Sequence, residues 1–524
     1  MAAGILLSRI AGLIRQRVLG HYLGTSSAAD AYTAAIRIPN FLQNLLSEGV
    51  LSASFIPVYA ALRAQGEDDQ ARGVAGAVAG LLTLVTALFA VLGIVATPWL
   101  LDAIAPGFSG DTRALAIVLV RIFFPGISLL VLSAFCIGVL NSHHKFFLSY
   151  AAPVVWSAAI IVALIAGARL GGGDQSRIAV WAAWGAVAGG ALQLGVQLPL
   201  VLRLLGRGAR LSLGGGDAHV AEVVRNFLPV VAGRGVVQLS AYVDTLIASW
   251  LPSGTVAAFG YAQIIYTLPV SLFGMAVSAA SLPSMSADAG ARDKLHGQLE
   301  SGLRSIAFPV VPSVAAFFAL GDVICSALFQ TGEFHRGDVI YVWWILIGST
   351  VGLLAATMAR LYSSAFYALR DTRTPLRYAI VRVALTAGLG VFCGLYLPGL
   401  LGVDAKFGAP GLTASAGVAG WVEFLLLRRG ISRRIGEVHV TKGLLPRLWS
   451  AAALGTAVAL AVKFATQNVD ILNRPIPRAV LVLGVFGVTY VGIALALRVP
   501  EATNALSRIR RLLRPQETRP EGRV

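Results

Sequence analysis

The chain has 524 residues, of which 56% are hydrophobic and 13% are charged, and its mean hydropathy is +0.76. This composition lies outside the range of soluble domains and leaves no room for a sizeable soluble domain. The net charge of +17 is compatible with nucleic-acid binding or with membrane topology, and its distribution along the chain decides between them.

Apolar stretches long enough to span a bilayer, about 20 residues each, recur along the whole chain. We therefore predict an all-α polytopic membrane protein with about fourteen transmembrane helices. In chain order the predicted spans are 2–22, 31–62, 76–104, 112–141, 148–170, 178–206, 221–251, 254–287, 298–326, 336–369, 374–398, 410–430, 444–466 and 477–499. Gly, Pro and charged residues separate them, as in GGGDQSR and LRDTRTP.

The first span carries Arg9 and Arg15 and is followed by no small-residue cleavage site, so we expect a retained helix and not a signal peptide. With the amino terminus inside, the inner loops and ends carry about 26 Lys and Arg, and the outer loops carry about 7. Both termini are therefore predicted to be cytoplasmic. The basic tail is interpreted as a contact for anionic lipid head groups, with nucleic acid as the less favoured reading.

An internal repeat is visible at an offset of about 226 to 228 residues. It aligns SFIPVYA at Ser54 with ASLPSMSA, and FFLSYA at Phe146 with TPLRYA at Thr374, although chance similarity between apolar segments is the alternative. We predict two six-helix lobes related by a parallel pseudo-two-fold axis, plus two C-terminal helices. The predicted divisions are an N-lobe at 1–206, a cytoplasmic linker at 207–220, a C-lobe at 221–430, a helix pair at 431–499 and a tail at 500–524.

Arginines inside apolar spans are the main functional signal. An arginine at the centre of a spanning helix costs roughly 2.5–3.5 kcal/mol on insertion scales. Arg9 and Arg234 lie near the middle of their spans, whereas Arg15, Arg37 and Arg382 lie closer to an end, where the side chain can reach the interface. The guanidinium fork donates two parallel hydrogen bonds to phosphate, so a phosphorylated anion is the expected ligand. The predicted anion-binding residues are Arg9, Arg15, Arg37 and Arg234.

Acidic residues in the same spans suggest charge pairing. Asp30 and Glu48 are predicted to pair with arginines when substrate is absent and so to gate the site. For Asp30 the alternative is a helix cap after TSSAA. Asp244 and Arg382 are lone charges in apolar spans, and we predict that they pair with each other.

Cofactor chemistry is not predicted. Cys136, Cys325 and Cys393 are far apart and have no His or Cys at ligand spacing, so neither a metal site nor a disulfide framework is expected. The acidic residues are few and dispersed, which argues against an enzyme such as a membrane glycosyltransferase.

Four segments resemble the signatures of the MurJ (MviN) family of lipid II flippases, within the MOP exporter superfamily. They are SRIAGLIR, AADAYTAAIRIPNFLQNLLSEGVLSASFIPVYA, YAQIIYTLPVSLFGMAVSAASLPSMS and FYALRDTRTPLRY. The resemblance implies alternating-access transport of undecaprenyl-diphosphate-MurNAc-pentapeptide-GlcNAc (lipid II) to the outer leaflet of the bacterial plasma (inner) membrane. It implies a cationic central cavity, a lipid-tail groove on the last two helices, contact with membrane lipids, and cell-wall synthesis proteins as candidate partners.

Individual residues also follow the resemblance. Arg9 and Arg15 match the family's essential first-helix arginines, Asp30 its acidic residue after that helix, and Glu48 the glutamate of its EG pair. The chain departs from the family at Gln43, Asn44, Gln263 and Ile264, where many members have arginines or an Asp-Arg pair. We expect Arg234 and Arg37 to supply the missing positive charge.

Three other functions stay open at this point. They are a MOP-type exporter of another lipid-linked oligosaccharide or of amphipathic drugs, a membrane scaffold for wall-synthesis enzymes, and the enzyme considered above. Drug exporters would be expected to have a lone acidic residue in the cavity instead of arginines, and a scaffold would not need charged side chains within its helices.

Overall fold

The structure is a computed structural model that describes residues 2–46, 48–206, 211–227, 231, 242–288, 290–438, 443–469, 474–504 and 507. Every regular element within these residues is helical. Eleven of these helices are long and apolar enough to cross a membrane. The predicted all-α polytopic class is confirmed, and the total of fourteen spans stays a prediction.

The helices up to residue 206 follow the apolar stretches of the sequence. They are α1 (Ala2–Leu23), α2 (Ser27–Leu46), α3 (Glu48–Ala64), α4 (Asp68–Ile104), α5 (Gly110–Ser142), α6 (Phe146–Leu170) and α7 (Gln175–Leu205). Helix α7 begins where the Asp174 carboxylate accepts a hydrogen bond from the Ser176 amide, which satisfies one of the amides left free at a helix start. Helices α4 to α7 are all among the eleven candidate spans.

The later helices are α8 (Val243–Ser249), α9 (Thr255–Pro269), α10 (Ala276–Ala287), α11 (Arg292–Phe329), α12 (Arg336–Ala368), α13 (Arg373–Val391), α14 (Leu397–Leu401), α15 (Gly408–Ile435), α16 (Leu444–Ala465) and α17 (Pro475–Ala496). A π-helical turn joins α9 to α10, and another joins α13 to α14. Residues 218–227 are also helical.

Three predicted spans are not among the eleven. The second, 31–62, falls on α2 and α3, and residue 47 between them lies outside the described residues. The seventh, 221–251, falls partly on residues 228–230 and 232–241, which lie outside the described residues. The first corresponds to α1, whose arginines lower its hydropathy.

The chain divides into two compact units. Unit 1 comprises Met1–Tyr261, Phe329–Asp338 and Gly394–Ala409. Unit 2 comprises Ala262–Leu328, Val339–Cys393 and Pro410–Val524. The lobe boundaries drawn from the sequence stay predictions.

Within unit 1, α7 packs against both α5 and α6. Two glycines four residues apart, Gly185 and Gly189, place the α7 backbone close to α6. A Cβ atom added at Gly185 would lie 2.3 Å from Cβ of Ala163, and one at Gly189 would lie 2.9 Å from the carbonyl oxygen of Trp156. Small residues on one face therefore allow the close helix approach that is typical of membrane bundles.

Within unit 2, the two C-terminal helices pack on α11. Leu320 and Val323 of α11 form a buried apolar cluster with Ala459 of α16 and with Val482 and Phe486 of α17. A buried ion pair crosses the same contact, since Nζ of Lys463 lies 2.8 Å from Oδ1 of Asp322. The helix pair is thus fixed to α11 by packing and by charge.

The same helix-ending turn occurs after α5 and after α12. Both His144 and Arg370 have φ of 58°. The Lys145 amide donates to the carbonyl of Leu140, and the Asp371 amide donates to the carbonyl of Phe366, as in a Schellman motif. These residues are 226 positions apart, so the turn recurs at the offset predicted for the internal repeat.

Candidate functional site

Asp30 lies on α2 and is buried, with 3% of its surface exposed. Its carboxylate accepts hydrogen bonds from the amides of Gly254, at 2.6 Å, and Ala257, at 2.7 Å. Gly254 immediately precedes α9 and Ala257 lies in its first turn, where backbone N–H groups have no partner within the helix and the helix dipole favours a negative charge. Asp30 therefore caps a helix that is distant in sequence. Its predicted pairing with an arginine stays a prediction, and the structure gives the carboxylate different partners.

Arg37 follows Asp30 by seven residues on the same helix and contacts α8 and α9. Its guanidinium donates to the hydroxyl of Thr245 and lies 5.8 Å from the ring centroid of Phe259. Its carbonyl accepts a hydrogen bond of 2.8 Å from the hydroxyl of Tyr242. Asp244 also acts on Arg37 electrostatically. The guanidinium is thus engaged by protein groups, and its role as an anion ligand stays a prediction.

A second set of contacts joins the end of α1, and Thr25 just after it, to the loop between α11 and α12 and to the first turn of α12. Nδ1 of His21 lies 2.9 Å from the hydroxyl of Thr331, and the Glu333 amide donates to the His21 carbonyl at 2.8 Å. The hydroxyl of Thr25 donates to the carboxylate of Asp338.

These two sets are all within unit 1, and we call them the clasp. The clasp consists of Asp30, Arg37, Tyr242, Thr245, the amides of Gly254 and Ala257, and the pairs His21–Thr331 and Thr25–Asp338. Close backbone approach supports it, because a Cβ atom added at Gly254 would lie 2.2 Å from the Thr25 carbonyl oxygen. The clasp joins α2 and the end of α1 to segments more than 200 positions later in the chain.

The first-helix arginines differ in their surroundings. Arg15 is half-buried, and its guanidinium carbon lies 4.5 Å from the ring centroid of Trp156, a cation–π distance. Arg9 is exposed, and among the described residues no carboxylate lies within ion-pair distance of it. Arg9 is thus exposed without a carboxylate partner among the described residues, Arg15 stacks on an aromatic ring, and the anion-binding role of both stays a prediction.

The side chains of two predicted site residues lie outside the described part of the structure. Arg234 lies outside the described residues. Glu48 is the first residue of α3, but its side chain is also outside what the structure describes. Their predicted roles in anion binding and gating stay predictions.

Arg382 of α13 forms an ion pair with Glu423, which is not among the predicted site residues. Its Nε lies 3.2 Å from the Glu423 carboxylate of α15, within unit 2. Glu423 also interacts electrostatically with Arg360. The predicted pairing of Arg382 with Asp244 stays a prediction, and the structure gives Arg382 an ion pair with Glu423. A lone glutamate in the apolar run GWVEFLLL was the signal that could have identified it.

Metal binding has no support among the described residues, where no three His, Cys, Asp or Glu side chains are grouped to hold an ion. Within this part of the chain, Cys136 and Cys325 are buried and Cys393 is partly buried.

Comparison with known proteins gives the family. A sequence profile described as Lipid II flippase MurJ matches residues 19–473. The chain is 32% identical over 440 residues to the lipid II flippase MurJ of Burkholderia cenocepacia, a match that covers 82% of each chain. The chain belongs to the MurJ family.

Solved structures agree on the fold of this MurJ family member. It is similar to the structure of a lipid II flippase MurJ in an inward closed conformation, with a TM-score of 0.75, 22% identity, and coverage of 95% of this chain and 98% of that one. It is also similar to an inward-facing multidrug resistance MATE transporter of the MOP superfamily, with a TM-score of 0.66, 19% identity, and coverage of 81% and 95%. Members of the MurJ family are transporters, and transporters are not a class of enzymes.

Proposed function

We propose that the protein is a lipid II flippase, which moves the undecaprenyl-diphosphate-linked peptidoglycan precursor from the inner to the outer leaflet of the plasma membrane. The family match over residues 19–473 is the observation that carries this proposal. The arginines of α1 support it, because charged side chains within membrane helices mark substrate pathways. No covalent chemistry is required, so we propose no enzymatic activity.

The proposed mechanism is alternating access. The inward-open protein admits the head group, and Arg9, Arg15 and Arg234 balance the charge of the diphosphate. With both termini in the cytoplasm, the α1–α2 corner faces outward, so the clasp closes the outer side. Release of the head group then requires the clasp to open.

Directional transport requires a driving force. A membrane potential supplies roughly 2.3 kcal/mol per elementary charge per 100 mV. An inside-negative potential favours outward movement of an anion, so a diphosphate head group has a direct electrical drive. Cell-wall synthesis proteins are proposed as further partners.

A second candidate is a MOP-type exporter of another lipid-linked oligosaccharide or of an amphipathic drug. The fold similarity to a multidrug resistance MATE transporter is the observation that favours it. The two candidates differ in cargo, and a test of cargo separates them.

The decisive experiment is to deplete the host's own lipid II flippase in a bacterium that expresses this chain. We expect growth to be restored and lipid II to be labelled in the outer leaflet. Arg9→Ala should abolish the rescue at equal membrane levels, whereas Arg169→Ala, which removes an exposed arginine from the last turn of α6, should retain it. Absence of rescue by the inserted wild-type chain would favour the other cargo.

A further inference from the structure

The end of α15 carries four arginines with different surroundings. Arg434 is in an ion pair, since its Nη2 lies 2.5 Å from the Asp371 carboxylate, and its guanidinium lies 5.1 Å from the ring centroid of Phe366. For Arg428, Arg429 and Arg433, no carboxylate lies within ion-pair distance among the described residues. Three guanidinium groups on one helix end are therefore without an internal counterion in this part of the chain.

These three arginines line one cavity. Its volume is about 480 Å³, and its lining residues are Leu425, Arg428, Arg429, Ser432, Arg433 and Glu437. Three positive charges against one negative charge leave the lining with a net charge of +2. Cavities of this size hold small-molecule groups. Several guanidinium forks facing one space favour phosphate, because each fork can donate two parallel hydrogen bonds.

The cavity continues into an apolar strip on the same helix. Val418 is 47% exposed and Leu425 is 41% exposed. Val418, Leu425 and Ser432 are spaced by seven residues, which is nearly two full turns, so they share one face of α15. In a membrane span such an exposed apolar strip can contact acyl chains. Arginines at the end of the span lie at the depth of lipid head groups.

We propose that this cavity binds the phosphate of an anionic phospholipid of the surrounding membrane, with an acyl chain along Val418 and Leu425. In the proposed topology the site is on the cytoplasmic side, where basic pockets recruit anionic head groups. None of the residues that line this cavity is among the arginines proposed to bind the cargo, and the proposal does not depend on the identity of the cargo. Free phosphate and a lipid-linked diphosphate carry the same phosphate chemistry as a phospholipid. The test must therefore distinguish phospholipid, free phosphate and lipid-linked diphosphate.

The test measures lipid retained by the purified full-length protein, by native mass spectrometry in detergent. Phosphatidylglycerol, phosphatidylcholine and undecaprenyl diphosphate are each added at increasing concentration. We expect phosphatidylglycerol to bind about tenfold more tightly than phosphatidylcholine. The variant Arg429→Gln with Arg433→Gln should lose one bound phosphatidylglycerol or weaken its binding about tenfold. A variant in which both arginines become lysine keeps the charge and should retain most of the binding.

The matched control removes two exposed arginines from α13 of the same unit, Arg373→Gln with Arg377→Gln. It should leave the retained lipid unchanged. Equal loss in the control would overturn the proposal, because it would indicate attraction to general surface charge. Full displacement of phosphatidylglycerol by millimolar inorganic phosphate, or preference for undecaprenyl diphosphate, would overturn it in favour of the free anion or the cargo.

The acyl contact has its own test. Leu425→Ser should weaken the binding of long-chain phosphatidylglycerol but not of short-chain phosphatidylglycerol. An equal effect on both lipids would contradict the proposed contact between the acyl chain and Leu425.

Discussion

Asp30 is a buried carboxylate whose hydrogen-bond donors are backbone amides of α9. Asp30→Asn keeps the size of the side chain but removes its charge and one acceptor. Hydrogen bonds to a charged group contribute roughly 1.5–3 kcal/mol, so we expect the free energy of unfolding to fall by about that amount. The thermal midpoint of the purified protein in detergent measures this loss. Transport should fall as well, because in the proposed mechanism the clasp closes the outer side.

The matched control for Asp30 is Asp217→Asn. Asp217 also accepts from backbone amides, those of His219 and Val220, but these are only two and three positions away. A local cap of this kind contributes about 1 kcal/mol and joins no distant segments. We expect a smaller shift in the thermal midpoint and normal transport. Equal effects of the two variants would show that the clasp has no special role for Asp30.

Asp371 lies in the loop between α12 and α13 and should make the free energy of unfolding depend on pH in the acidic range. Hydrogen bonds from the amide and the hydroxyl of Thr374, together with Arg434, lower the pKa of Asp371 to about 2. In the unfolded chain the pKa of an aspartate is about 3.9. The folded state is therefore favoured above about pH 4, and this contribution disappears as the pH falls towards 2.

The prediction for Asp371 concerns the difference in thermal midpoint between the wild type and Asp371→Asn. Asp371→Asn should melt at a lower temperature than the wild type at pH 7, and the gap should close between about pH 4 and 2. Thermal midpoints in detergent at several pH values measure it, and taking the difference removes the effect of other carboxylates. A gap that is constant over this range would contradict the assigned pKa.

At the scale of elements, the Lys463–Asp322 ion pair joins α16 to α11. The two side chains are 12% and 3% exposed, so loss of one partner leaves a buried charge. We expect Lys463→Met to lower the free energy of unfolding by on the order of 3 kcal/mol. Thermal melting and the amount of protein in the membrane report this loss.

Removal of both charges should cost less than removal of one. The variant Asp322→Leu with Lys463→Met replaces an ion pair by apolar packing, which is often neutral in a buried setting. We expect its thermal midpoint to recover towards the wild-type value. If the double variant melts at the sum of the two single losses, the ion pair is not coupled and the packing of Leu320 and Phe486 alone holds the helices together.

The elements themselves were largely predictable, because the length and hydropathy of a span are local properties of the sequence. The predicted span 112–141 differs from α5, Gly110–Ser142, by two residues or fewer at each end. The second span stays a prediction, because residue 47, between α2 and α3, lies outside the described residues. Pairing was less predictable: Arg382 binds Glu423 and Asp30 binds amides of α9, and such partners depend on tertiary contacts that no spacing encodes.

At the scale of the whole molecule, the proposed alternating-access mechanism requires segments that are far apart in the chain to separate and rejoin. The family and the fold were accessible from sequence because motifs such as AADAYTAAIRIPNF are long and specific. The clasp was not, because its partners are polar groups at helix ends and in short connections, such as Thr331 and Asp338, whose spacing along the chain does not show that they meet. The repeated turn at His144 and Arg370 was predictable only in part. The sequence predicts the offset of 226 residues between the two turns, but it does not predict their φ of 58°.

The clasp predicts that transport stops when its two sides are joined covalently. In a background without Cys136, Cys325 and Cys393, Thr25→Cys with Asp338→Cys places two thiols where the Thr25 hydroxyl now donates to the Asp338 carboxylate. Oxidation should form a disulfide and reduce lipid II exposure at least about tenfold, and a reductant should restore it, because the outer side must open to release the head group. Each single-cysteine variant should transport equally with and without oxidant. Undiminished transport by the fully cross-linked protein would mean that the head group leaves by a route that does not open the clasp.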